Sequence, residues 1–212
     1  MGDEAIKEIE GLPGAIPVFP LGGVLLLPGG QLPLNIFEKR YLAMVRDSLK
    51  EERLIGMIQP RTGEALFEVG CAGRITAFEE TQDGRYLITL TGLCRFRVAS
   101  ELPQRDGYRR MAVEWGSFAR DMRLESCLDI DRGRLKTLLC DYFQLNGLSC
   151  DWDAVDGTPD QRLLTSLAMI CPLGPNEKQA LLEAQCCRTR AQMFMTMLEM
   201  AVADKGECGG CH

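Results

Sequence analysis

IPVFPLGGVLLLPGGQLPLNIFEKRYLAMVRDSL, residues 16–49, is the stretch that decides the fold. Two short apolar runs, Ile16 to Phe19 and Val24 to Leu27, are bounded by proline and glycine. They are too short for helices and read as buried strands. Leu32 to Phe37 is a third apolar segment, and a helix signal follows it. Asn35 with Glu38 three residues later fits a capping pair, in which side chains accept backbone N–H groups that the first helical turn leaves free. Beyond it Tyr41, Val45 and Leu49 share one helical face with Leu42 beside them, while Lys39, Arg46 and Lys50 fall opposite. A strand pair feeding an amphipathic helix is a folding unit, not a reaction centre.

Outward from this unit, residues 1–15 read as a flexible acidic leader. On the other side, Arg53 to Gln59 reads as a strand stopped by Pro60, and a loop from Gly63 leads into Leu66 to Val69. Arg74 to Phe78 then faces Tyr86 to Leu90 across Gln82-Asp83-Gly84-Arg85, where Asp-Gly tolerates the positive φ that a tight hairpin demands. Cys94, Phe96 and Val98 alternate with Arg95 and Arg97, and Met111, Val113 and Trp115 with Arg110, Ala112 and Glu114, so each strand has one apolar and one polar face. Many short strands with glycine and proline turns point to a small β barrel with one inserted helix, residues 16–118. The period then changes. Leu124, Leu128, Leu135, Leu138, Tyr142 and Leu145 recur at helical spacing, with Gly133 a weak point. NGLSCDWDAVDGTP reads as a loop. A second helix carries Leu163 to Ile170 and ends at Pro172, a third opens at Pro175, and a fourth carries Ala191, Phe194, Leu198 and Ala201. The expected fold class is α+β: the barrel, a helical subdomain over 119–205, and a flexible Cys/His tail over 206–212.

Composition narrows the function. With 46% apolar and 25% charged residues in 212, the chain can bury a full core. The net charge of −6 divides into −3 for residues 1–15, +1 for 16–118 and −4 for 119–212, so no segment is basic enough to track a nucleic-acid backbone. MGDEAIKEIEG lacks the basic start and apolar core of an export signal, and no apolar run approaches the ~20 residues of a membrane span, so a cytoplasmic protein is expected. Ten cysteines are then expected reduced, with Cys94, Cys140 and Cys171 as small apolar fillers.

Catalytic constellations are missing. The one histidine is His212, which leaves no Ser–His or Cys–His pair within the folded part, and HExxH is absent. Glu51-Glu52 and Glu79-Glu80 read as solvated faces. Arg95 and Arg97 are expected on the barrel exterior, where they could grip polypeptide. Met193, Met195, Met197 and Met200 read as packing. The tail Cys208-Gly-Gly-Cys211-His212 has haem-attachment spacing but lacks the export and the enclosing chain that haem needs. Cys208, Cys211 and His212 could bind zinc if Cys186 or Cys187 completed four ligands, and the two tail thiols could act as a redox pair. The simplest reading is a metal-free tail, hence no cofactor.

IPVFPLGGVLLLPGGQLPLNIFEKRYLAMV closely resembles the opening of the Lon N-terminal, substrate-binding domain. VGCAGRITAFEETQDGRYLITLTGLCRFRV resembles that domain's hairpin, with Gly92, Arg95, Phe96 and Arg97 at its end. CPLGPNEKQALLE resembles its helical region through Pro172, Leu173, Pro175, Lys178 and Gln179. Asn35 departs from the histidine that free-standing relatives often carry. The resemblance covers about residues 16–202 and implies a PUA-like barrel plus helices that engage unfolded or extended polypeptide. No G-x-x-x-x-G-K-[ST] phosphate loop and no Ser–Lys protease segment are present, so the expectation is a non-catalytic polypeptide-binding module, an accessory in protein quality control beside a protease or chaperone. An extended client would lie along an apolar groove or barrel edge, with Pro28, Gly29, Gly30, Arg95 and Arg97 as candidate contacts. The alternative is an RNA-binding PUA-like protein, which the near-neutral barrel disfavours.

Overall fold

A computed structural model describes residues 9–123 and 130–208, and one long strand organises its sheet. The elements are β1 (Ala15–Pro20), β2 (Gln31–Ile36), α1 (Lys39–Lys50), β3 (Leu54–Ile58), β4 (Val69–Glu80), β5 (Tyr86–Arg105), β6 (Tyr108–Glu114), a 3-10 segment (Gly116–Met122), α2 (Arg132–Leu145), α3 (Trp152–Gly157), α4 (Asp160–Ile170), α5 (Pro175–Glu183) and α6 (Cys187–Cys208). The 20 residues of β5 pair with β2 and β4 along its first half, and its second half pairs with β6. Since β6 pairs with β1, β1 in parallel with β3, and β3 with β4, the ladder closes on itself through β5 and leaves β2 as an edge. The expected Asp83-Gly84 hairpin joins β4 to β5, with Gly84 at φ +79°.

Alternation explains the interior. Ile16, Val18, Ala72, Cys94, Phe96, Met111 and Val113 point into the circuit as one cluster, and the ring of Trp115 meets Phe96 edge-on at 6.0 Å. Gly56 and Gly70 make room for Phe96, because a Cβ at Gly70 would lie 2.4 Å from its ring. A second cluster runs without a break from Leu25, Leu90 and Ile88 of the sheet region into Leu135, Leu164, Leu181 and Phe194 of the helices. The two halves therefore share a core.

Several sequence expectations change here. Val24–Leu27 is not a strand. Leu25, Leu26 and Leu27 are buried in irregular chain, held by turn bonds from Gly30 N–H to Leu27 O and from Gly29 N–H to Gly92 O, both 2.9 Å. Burial needs satisfied backbone groups, and turns supplied them without a ladder. Asn35 does not cap α1. It stays in β2 opposite Leu87, and Glu38 takes the N-cap position without a side-chain bond. The predicted loop after α2 contains the short helix α3, because Asp151 accepts the Ala154 N–H at 3.1 Å and starts it. Leu139 and Phe143 rather than Leu138 and Leu145 complete the buried face of α2, and Cys140 is exposed rather than an apolar filler. Gly133 costs little, as it stands in the first turn, next to the N-cap Asp131. Of the acidic leader, residues 1–8 lie outside the described residues, but Ile9 and Leu12 pack on the cluster around Phe96 and Pro13 O accepts from Trp115 Nε1 at 2.9 Å. No helix among the described residues is long and apolar enough to cross a membrane.

Gly92 marks the tightest join between loop and sheet, where a Cβ would sit 2.0 Å from the Leu27 carbonyl oxygen. Gly92→Ala is expected to cost about 3 kcal/mol, because rigid backbone cannot yield. Gly30→Ala should cost about 1 kcal/mol, because its nearest obstacle is the flexible Met169 thioether. Urea unfolding of the two variants measures the difference.

Candidate functional site

Arg95 and Arg97 are two residues apart and meet opposite fates. Arg97 is on the surface and pairs with Glu68 at 3.1 Å. Arg95 is 3% exposed. The expectation of an exterior arginine pair is half wrong for a definite reason: alternation does turn Arg95 away from the side of Phe96, but α5 and the 3-10 segment cover that side. Its Nε and Nη2 donate to the two carboxylate oxygens of Asp121 at 2.7 and 2.8 Å, and Asp121 also accepts the Arg95 backbone N–H at 3.0 Å. Nη1 donates to Leu182 O at 2.9 Å and Ala184 O at 2.6 Å, and the guanidinium carbon lies 4.6 Å from the centre of the Phe118 ring. Four of its five guanidinium N–H groups are bound within the fold, so Arg95 acts as a rigid structural fork.

Pro28, Gly29 and Gly30 also differ from their expected role. Gly30 is buried under α4, Gly29 is exposed at φ +77°, and the turn bonds to Gly92 at both ends. Gly29 and Gly30 lock the loop to β5, and Pro28 lines a small cavity beside Arg95 and Asp121. The residues of the CPLGPNEKQ stretch build the remaining seam. Lys178 Nζ donates to Gly23 O and Met169 O at 2.9 and 3.3 Å, and burial pulls its ammonium below the usual lysine value. Gln179 donates to Val69 O at 3.1 Å and accepts from Gln59, which also reaches Pro175 O at 3.0 Å.

Cys208 ends α6, whereas Cys211 and His212 lie outside the described residues. Cys187 begins the same 22-residue helix. Among the described residues, no group of three or more His, Cys, Asp and Glu side chains is placed to hold a metal. Of the methionines, Met193, Met195 and Met197 pack against the core as expected, and Met200 is exposed.

The sequence reading missed the exposed apolar surface. Cross-strand register on the outer face of β2, β5 and β4 sets Pro33, Thr89 and Ala77 in one row and Asn35, Leu87 and Glu79 in the next. They line a shallow depression of about 500 Å³. Leu87 is 40% exposed there, and at the adjoining hairpin end Phe78 is 43% and Phe37 64% exposed. Phe78 meets Tyr86 edge-on at 5.0 Å, and Arg85 lies 5.9 Å from the centre of the Phe37 ring. The available signal was Leu87 itself, an apolar residue out of phase with buried Ile88 and Leu90. A second groove, of about 480 Å³, runs between the end of α2, α3 and α4, with Ile170 on its rim.

These features have known counterparts. The sequence profile of the "ATP-dependent protease La (LON) substrate-binding domain" matches residues 15–200. A Lon protease from Anaeromyxobacter dehalogenans is 30% identical over 136 residues, which are 59% of this chain and 16% of that protein. Lon protease 2 of Myxococcus xanthus is 25% identical over 199 residues, 89% of this chain and 24% of that protein. The chain thus spans a quarter or less of these relatives. The fold is similar to the crystal structure of a Lon N-terminal domain protein from Xanthomonas campestris, with TM-score 0.60, 24% identity and coverage of 86% of this chain and 97% of that one. It is also similar to the N-terminal domain of a Mycobacterium avium complex Lon protease, with TM-score 0.61, 16% identity and coverage of 90% and 98%. The chain belongs to the family of Lon substrate-binding domains, the non-catalytic part of Lon.

The buried ion pair generates a stability prediction. Asp121→Asn leaves the Arg95 charge without its counter-charge and is expected to cost about 3–5 kcal/mol, against at most about 0.5 kcal/mol for Arg97→Ala. Equal midpoints for the two variants in urea unfolding would remove the structural role assigned to Arg95.

Proposed function

We propose that this chain is a non-catalytic polypeptide-binding module that serves as an accessory in cytoplasmic protein quality control, delivering unfolded or extended clients to a protease or chaperone. The closed ladder is read as a PUA-like barrel. The observation that carries the reading is the outer-face depression with exposed Leu87, and exposed Phe37 beside it, along the free edge of β2. Membership of the substrate-binding family supports the same class of ligand.

Binding through the apolar face fits better than addition of a strand to the edge. Pro33 stands in the middle of β2 and has no N–H to offer an incoming strand. An extended segment can instead place apolar side chains in the depression, where contact requires burial and shape but little sequence. Glu79 and Arg85 at the rim would tolerate charged flanks of either sign.

The test is fluorescence anisotropy with a labelled, extended apolar peptide. Leu87→Asp is expected to weaken binding about tenfold, because a carboxylate in the depression must be desolvated. Phe37→Ser should act in the same direction, while Ile170→Asp, in the helical groove, leaves affinity unchanged. If the sheet variants bind like the parent and Ile170→Asp does not, the surface assigned here is the wrong one. Absence of peptide binding by the parent protein would overturn the function.

A further inference from the structure

The groove among α2, α3 and α4 has walls that its own local bonds hold in place. Phe143 of α2, Val155 of α3 and Leu163 and Leu167 of α4 form a buried floor, while Leu148 and Ile170, 42% and 70% exposed, stand on the rim. After α2 the chain turns at Gly147, φ +63°, and the Leu148 N–H donates to Phe143 O at 2.8 Å, which fixes the leucine over the end of the helix. Asp151 caps α3, and the Cys171 N–H closes the last turn of α4 on Leu167 O at 2.9 Å, just beyond Ile170. Water on so much fixed apolar surface is unfavourable, and a covering apolar face would displace it.

The charge around the groove has one sign. Asp151 is the one charged residue in its lining. Residues 141–160 hold five aspartates and neither lysine nor arginine. Lys136 pairs with Asp156 at 2.7 Å and Arg132 with Asp160, but exposed Asp151 and Asp153 have no ion-pair partner among the described residues. Arg162 on α4 is exposed and does not line the groove. In addition α2 and α4 both end here, and the last carbonyls of a helix carry partial negative charge. What covers the groove must therefore be apolar on one face and cationic beside it.

We propose that the groove receives a basic amphipathic helix of a partner protein, with apolar side chains against Leu148 and Ile170 and lysine or arginine beside Asp151 and Asp153. An extended strand would find no free sheet edge among these helices, whereas a helix can lay one face along their side chains. Residues 1–8 of this chain carry Asp3, Glu4 and Glu8 against Lys7 and would bring like charge, as would a second copy at net charge −6. The sheet depression differs in kind. Its rim has charges of both signs, Glu79 and Arg85, whereas the helical groove selects for one, and the two share no lining residue. Partner and client can then be held together.

The experiment measures anisotropy of a labelled amphipathic helical peptide of leucine and lysine, against a counterpart with glutamate in place of lysine. The lysine peptide is expected to bind at least tenfold more tightly, with an affinity that falls as salt is added. Leu148→Ser and Ile170→Ser should each weaken it about fivefold through lost apolar contact. Asp151→Asn keeps a residue able to cap α3, and should weaken binding about threefold and flatten the salt dependence. Leu87→Asp, on the sheet, leaves it unchanged. Equal affinity for the two peptides, no binding of either, parental affinity in both rim variants, or loss in Leu87→Asp would overturn the proposal. So would sedimentation of the parent as a dimer that Ile170→Ser dissociates, since the groove would then belong to a second copy.

Discussion

The contact between Arg95 and Asp121 joins the sheet to the helices. Neither charge could be buried alone, and each is satisfied only when the other half of the chain is in place. The arginine reaches further, to Leu182 O and Ala184 O at the end of α5. Arg190 reaches Leu181 O on the same helix, and Lys178 reaches Met169 O at the end of α4. Three cationic side chains therefore meet the carbonyls that last helical turns leave without partners, where the helix dipole also favours positive charge. The polar seam between the halves and the capping of these two helices are one set of bonds.

The residues that carry the family resemblance are thus also residues that hold the fold together. Arg95, Lys178 and Gln179 are among the residues most characteristic of the resemblance, and all are spent holding the halves together. The glycines before β2 belong to the same frame, since Gly30 and Gly92 have no room for a side chain. The surface proposed to meet polypeptide is made instead of Leu87 and Phe37, which fit no motif. A surface that accepts varied clients needs apolar area rather than a fixed pattern of donors.

Sequence reasoning succeeded where a local period reports a local fact. The β4–β5 hairpin, the inward set Cys94 and Phe96, the proline that opens α5 and the apolar face of α1 are visible because each depends on neighbours within a few residues. It failed where a distant element decides. Alternation separates Arg95 from Phe96 but says nothing about a helix some 85 residues later that covers the far face. Val24–Leu27 is apolar because it is buried, and only its partners, Gly92 among them, make it a loop rather than a strand. The sheet surface was hidden for a related reason: Leu87 lies on the outer face between Asn35 and Glu79, and the strand's period does not say that no other element covers that face.

The closed ladder also sets an order of assembly. β1 completes its pairing only with β6, so Ile16 must wait for Met111, some 95 residues later. Long loops of this kind are slow to close, and the Asp121 partner of Arg95 comes later still. On a ribosome that adds about 5–20 residues each second, Ile16, Val18 and Phe19 would stay uncovered for several seconds at least. The nascent chain is then itself an extended apolar segment, of the kind that the finished domain is proposed to hold.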